Sequence, residues 1–167
     1  NLPQPVELYY IEPHFRYDRP QKGRYRQFWQ FAFEVIGESD PALDAQVIYL
    51  AYKIMDDLGV ADLFQLQINS IGCASPQCRP RYIEELKNFY IGKERSLCFE
   101  CQERVENNPL RLLDCKEEDC RILAELAPKQ KDYLCEGCKE FHKELLEFLK
   151  ELKISYKENP SLVRGLD

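Results

Sequence analysis

Hydrophobic and polar positions alternate with period two along "RQFWQFAFEVIG". Phe28, Gln30, Ala32, Glu34 and Ile36 fall on one face, and Trp29, Phe31, Phe33 and Val35 on the other. Upstream, "PVELYYIEPHFRY" is aromatic and β-branched enough for a strand, with Pro13 marking a bulge or an exposed edge. Pro20 and Gly23 punctuate "RPQKGRY" between the two runs, which predicts an antiparallel hairpin with a long loop. The period then lengthens. Leu43, Val47, Leu50, Ala51, Ile54 and Leu58 follow helical spacing, with Asp40 as N-cap, Pro41 as first helical residue and Gly59 as the stop. "LFQLQINSIG" predicts a strand, and Tyr82, Ile83, Leu86 and Phe89 the stripe of a second helix. From about Gly92 to Gln130 the pattern is short and irregular except for "DCRILAEL". "EGCKEFHKELLEFLKELK" is strongly amphipathic, with Phe141, Leu145, Phe148, Leu149 and Leu152 aligned, and "ISYKENP" reads as a final strand. The predicted fold class is α+β.

At 167 residues, 44% hydrophobic and 31% charged, the chain has the composition of a folded protein rather than a disordered one. No apolar run approaches the roughly 20 residues of a membrane helix. "NLPQPVELYY" has neither the basic start nor the apolar stretch of a secretory signal, so a cytoplasmic location is expected and a disulfide framework is the weaker reading of the cysteines. With no initiating Met, and with "LVRGLD" at the other end, the sequence is expected to be part of a longer protein.

The eight cysteines form four pairs: Cys73/Cys78, Cys98/Cys101, Cys115/Cys120 and Cys135/Cys138. "LCFEC" and "LCEGC" are Cys-x-x-Cys knuckles, which put two thiolates on one tetrahedral edge. Eight ligands fill two four-cysteine zinc sites with none left over. Three pairings are open. Loop closure favours Cys98, Cys101, Cys115 and Cys120 as one site, leaving Cys73, Cys78, Cys135 and Cys138 as the other. The sequential pairing of Cys73/Cys78 with Cys98/Cys101 competes with it. Four thiolates leave no open position, so the expected role is structural. His142 reads as a solvated helix residue and His14 as a packed or surface one, with a ligand contact as the alternative for His14.

Between His14 and Phe28 lie five basic residues (Arg16, Arg19, Lys22, Arg24, Arg26) and one acid, Asp18, in a chain of net charge −6. That net charge argues against a general nucleic-acid binder. Arginines on strands can hold phosphates bidentately. Phe28 follows Arg24 by four residues and so shares its face, which makes a platform for a phosphate and a purine. Farther along that face, Gln30 and Glu34 suit a substrate ammonium group.

"FRYDRPQKGRYRQFWQ…FEVIG" resembles motif 2 of class II aminoacyl-tRNA synthetases in the form found in the histidyl-tRNA synthetase family. "INSIG" and "NPLRLLDCK" are similar to the insertion region of that family, and "LVRGLD" to the start of its histidine-specific motif. The resemblance runs colinearly through essentially the whole sequence. It implies an antiparallel class II sheet segment in residues 1–62, a zinc-stapled α/β insertion in 63–154 and a return to the catalytic domain in 155–167. By the same resemblance, Arg16 binds the α-phosphate of ATP, Asp18 and Arg24 contact the nucleotide and its outer phosphates, and Phe28 stacks on adenine. Gln30 and Glu34 hold the amino group of histidine. Arg164 supports the α-phosphate during adenylation, and Arg19, Gln21 and Lys22 face the acceptor end of tRNA(His). The implied cofactors are two structural Zn²⁺ ions and Mg²⁺ with ATP; the implied assembly is a homodimer, with no membrane partner. Asp18 stands where the family has Glu. Motifs 1 and 3 and an anticodon-binding domain lie outside the sequence, so efficient aminoacylation by these residues alone is not expected. Two other readings compete: a non-catalytic regulatory subunit of ATP phosphoribosyltransferase, and a free-standing zinc RNA-binding module.

Overall fold

The computed structural model describes residues 3–163. Strand β1 (Val6–Phe15) pairs antiparallel with β2 (Gln27–Ile36), in unbroken register from Val6 opposite Ile36 to Phe15 opposite Gln27. No residue is skipped, so Pro13, opposite Trp29, marks an edge rather than a bulge. Unbroken pairing also fixes the faces. Tyr10, His14, Arg16, Phe28, Gln30 and Glu34 share one, and Tyr9, Ile11, Trp29 and Phe31 the other. At the tip, Gln21 and Arg24 exchange backbone hydrogen bonds, and Gly23 supplies a φ of +78°. An L residue adopts that conformation only with strain.

Helix α1 (Pro41–Asp57) begins where the sequence puts it. The Asp40 carboxylate accepts from Ala42 N at 2.7 Å, and Pro41 occupies the first turn. Gly59, with φ +71°, closes the end. The helix has two apolar faces, which the single predicted stripe merged. Leu50 and Ile54 face the hairpin beside Tyr9, Ile11, Trp29 and Phe31, around a cleft of about 540 Å³. Ala45, Ile48 and Tyr52 pack instead with α5 (Glu136–Glu151), which contributes Leu145, Leu146, Phe148 and Leu149. Ile68 of β3 (Leu66–Ile68) and Tyr156 of β4 (Tyr156–Glu158) complete this first core. β3 and β4 run parallel, with Leu66 opposite Tyr156.

A second core is built from residues between 82 and 127, joined by Val163. Helix α2 (Arg79–Tyr90) inserts Tyr82, Leu86 and Tyr90, all fully buried. Helices α3 (Phe99–Asn107) and α4 (Glu118–Leu126), joined by a 3₁₀ turn at Pro109–Asp114, surround them with Cys101, Val105, Leu112, Cys120 and Ala124. Helix α3 is absent from the sequence-based expectation. Its buried stripe is Cys101 and Val105, one turn apart, and a cysteine counted as a ligand is easily left out of the apolar pattern. No helix among the described residues is long and apolar enough to cross a membrane.

Leu149 is fully buried at the centre of the first core, whereas Leu58 is 67% exposed. Leu149→Ala should cost about 2–5 kcal/mol, and Leu58→Ala less than about 0.5 kcal/mol. Urea unfolding of the two variants measures the difference.

Candidate nucleotide face and thiol clusters

The hairpin gathers its functional side chains because β-pairing leaves them nowhere else to go. The Arg16 guanidinium lies over the Phe28 ring, 4.1 Å from its centroid, and Arg16 Nε donates to the Tyr25 carbonyl at 2.7 Å. His14 stacks on the same ring at 6.0 Å and touches Tyr10 at 5.6 Å. Gln30 Nε2 donates to the Tyr10 hydroxyl at 3.2 Å, and Glu34 stands exposed opposite Leu8. Arg16, Phe28, Gln30 and Glu34 are thus brought to one face, together with Tyr10 and His14. Tyr10 has no place in the sequence-based set; its pairing partner Ala32 on β2 is the signal that puts it there. His14 buries an Nε2 that has no partner among the described residues.

Arg24 lies beyond the paired strand positions, at the hairpin tip. Its guanidinium pairs with the Asp18 carboxylate, and Arg26 Nε donates to the Asp18 carbonyl at 3.4 Å. Both partners of the Arg24–Asp18 pair are half-exposed, so the contact orders the loop more than it stabilises it. Arg19, Gln21 and Lys22 are exposed around the tip. Arg164 lies outside the described residues.

The cysteines form two compact clusters. Cys73, Cys78, Cys135 and Cys138 place their sulfurs within 4.8 Å of one another, and so do Cys98, Cys101, Cys115 and Cys120. The sequential grouping is not the one seen. All eight thiols are free. Cys73–Cys135 measures 3.7 Å, and Cys78–Cys138 and Cys98–Cys115 each 3.9 Å. A disulfide requires about 2.05 Å. Four sulfurs at about 2.3 Å from one zinc ion stand about 3.8 Å apart along a tetrahedral edge. The observed spacing therefore matches a single tetrahedral ion.

The first cluster joins the two cores. Cys78 precedes α2 of the second core, and Cys135 and Cys138 sit at the start of α5 in the first. The other cluster is embedded within the second core, where Cys101 and Cys120 are fully buried. Backbone N–H groups aim at the sulfurs: Cys73 N and Cys135 N reach Cys78 Sγ at 3.4 and 3.5 Å, and Cys98 N reaches Cys120 Sγ at 3.2 Å. Burial raises the Cys78 thiol, but these donors prevail and lower it to about 7. Cys138 is pushed up to about 12 by burial and by the sulfurs around it, and Cys101 is pushed up for the same reasons. Four adjacent thiolates cannot coexist without a cation, while donors aimed at sulfur favour the ionised form. This donor set fits a divalent ion with a preference for thiolate.

His142 is not the freely solvated residue the sequence suggests. Its side chain is 18% exposed and its Nε2 lies 3.5 Å from a Glu158 carboxylate oxygen, outside both clusters.

The same architecture recurs in a solved aminoacyl-tRNA synthetase. The crystal structure of apo S. aureus histidyl-tRNA synthetase superposes with a TM-score of 0.73 at 34% identity, over 100% of this chain and 37% of that one. A family model described as histidyl-tRNA synthetase matches residues 1–88. Histidine–tRNA ligases of Dehalococcoides mccartyi and Halothermothrix orenii are 51% and 49% identical over 98% of this chain and 38% of their own length. The relative from Desulforudis audaxviator is 51% identical over 99% of the chain and 39% of its own. The chain belongs to the histidyl-tRNA synthetase family, and it spans under two-fifths of the length of these curated relatives.

Two glycines separate local strain from contact at the site. Gly72, at φ +68°, would place a Cβ 2.7 Å from Cys78 Sγ; Gly23, at φ +78°, would meet nothing within 4 Å. Gly23→Ala should cost about 1–2 kcal/mol. Gly72→Ala should cost more, about 2–4 kcal/mol, because sulfur displacement adds to backbone strain. Thermal unfolding of the two variants reads the contrast.

Proposed function

We propose that these residues form the nucleotide- and histidine-binding hairpin and the insertion of a histidine–tRNA ligase, which activates histidine with ATP and transfers it to tRNA(His). The observation that carries this reading is the shared face of Arg16, Phe28, Gln30 and Glu34 in a chain of this family. Residues 1–62 and 155–167 belong to the catalytic domain and 63–154 to the insertion. The enzyme works as a cytoplasmic homodimer.

In this reading the histidine carboxylate attacks the α-phosphorus of ATP and pyrophosphate leaves. A terminal ribose hydroxyl of tRNA then attacks the carbonyl of the adenylate, and AMP leaves. Negative charge grows on the α-phosphate oxygens during the first step, and Arg16 and Arg164 donate to them. The guanidinium over Phe28 must swing off the ring for adenine to stack there, so one movement of Arg16 frees the purine platform and delivers the phosphate ligand. Glu34 and Gln30 take the ammonium group of histidine. Asp18 holds Arg24 near the outer phosphates, and Arg19, Gln21 and Lys22 meet the acceptor end of tRNA. Mg²⁺ accompanies ATP and offsets its charge. Each thiol cluster would hold one structural Zn²⁺, which would supply folding energy to a stretch built of short helices and turns.

In the complete enzyme, Arg16→Ala should slow histidine-dependent ATP–pyrophosphate exchange on the order of a hundredfold. Its histidine dissociation constant should stay nearly unchanged, whereas Glu34→Ala should weaken histidine binding first. Exchange at the wild-type rate in Arg16→Ala contradicts the reading. Lys22→Ala should reduce the salt dependence of tRNA binding by about one phosphate contact, read as a shallower slope of log K against log salt.

A further inference from the structure

Two fully buried polar side chains have no hydrogen-bond partner among the described residues, and each lies beside a different thiol cluster. Tyr90, in the last turn of α2, belongs to the same packed core as Cys101 and Cys120. Its hydroxyl has no acceptor, although Tyr82, two turns earlier on the same buried stripe, donates to the Pro128 carbonyl at 3.0 Å. Gln130 is fully buried too, and both of its amide atoms are unpartnered. The point where Gly72 would carry a Cβ lies 2.7 Å from Cys78 Sγ and 3.1 Å from Gln130 Nε2. A glycine there leaves the amide and the sulfur facing one small space.

Buried polar groups without partners are rare and costly, so two of them at two like clusters call for an acceptor. A dication ringed by four thiolates carries a net charge of about −2, and such a centre is stabilised by donors around its sulfurs. Backbone N–H groups supply some of these. Among side chains, Arg104 Nη1 reaches Cys101 Sγ at 4.0 Å. We propose that Tyr90 Oη–H and Gln130 Nε2–H are further side-chain donors to the two metal–thiolate centres: Tyr90 to the Cys98/Cys101/Cys115/Cys120 site, and Gln130 to the Cys73/Cys78/Cys135/Cys138 site. Both are positioning residues that act through sulfur. The inference rests on the reading of the clusters as metal sites.

The test uses the full-length protein, purified without added metal, and follows zinc release to a chromophoric chelator together with alkylation of the freed cysteines, read by mass spectrometry. Tyr90→Phe and Gln130→Met remove the donors at nearly constant volume. Each should speed release of one zinc by roughly tenfold or more, the effect of losing a hydrogen bond to a charged acceptor. Tyr90→Phe should expose Cys98, Cys101, Cys115 and Cys120 to alkylation first, and Gln130→Met the other four. Gln130→Glu, which keeps the shape but turns the donor into an acceptor, carries the test if the Met variant fails to fold, and should also speed release. Cobalt-substituted samples should shift their thiolate-to-metal absorption only at the altered site. Wild-type release rates in these variants, or acceleration at the opposite cluster, overturn the assignment of the donors while the metal reading stands. Metal-free wild-type protein overturns both. Loss of pyrophosphate exchange in a normally metallated wild type would concern only the proposed activity.

Discussion

Four cysteine sulfurs within 4.8 Å of one another do not attract, and as thiolates they repel strongly at that range. The segment from Cys73 to Cys138 nevertheless converges on two such points. Around them the chain is built of short helices and 3₁₀ turns, few of which could hold their shape alone. Helix α3 shows the dependence: of its nine residues only Cys101 and Val105 are buried, so ligation and packing fall on the same side chain. In the proposed reading, a cation at each cluster would turn the repulsion into the contact that closes the second core from within and ties it to the first.

The first core continues the argument to the hairpin. Helix α5 follows Cys135 and packs on α1, and the other face of α1 lines a cleft with β1 and β2. The path from thiol cluster to hairpin runs from the cluster through α5 and α1 to the cleft beside β1 and β2. The hairpin itself contains no cysteine. Its ten paired positions hold the register, and the register decides which side chains meet ATP in the proposed reaction.

Much of this was legible in the sequence because its signals were local. Period-two alternation over residues 27–36 gave β2 and its faces, and Asp40, Pro41 and Gly59 bounded α1. The grouping of the cysteines followed from loop lengths, since the shorter closure between Cys101 and Cys115 costs less entropy. What was not legible depends on pairing at a distance. Arg24 pairs with Asp18 across the loop, a contact that no local spacing announces. The two faces of α1 separate only once α5, which begins far along the chain at Glu136, takes one of them. His142 loses its solvent to β4, a three-residue strand paired in parallel with β3. Tyr90 and Gln130 look like ordinary core and loop residues until burial shows that their polar atoms have no partner.

X-ray absorption at the zinc edge of the full-length protein, purified without added metal, bears most directly on this account. It predicts two zinc ions per chain, each with four sulfur neighbours at about 2.3 Å and no nitrogen or oxygen in the coordination shell. A mixed shell, a multinuclear metal–metal distance, or folded protein free of metal would contradict it.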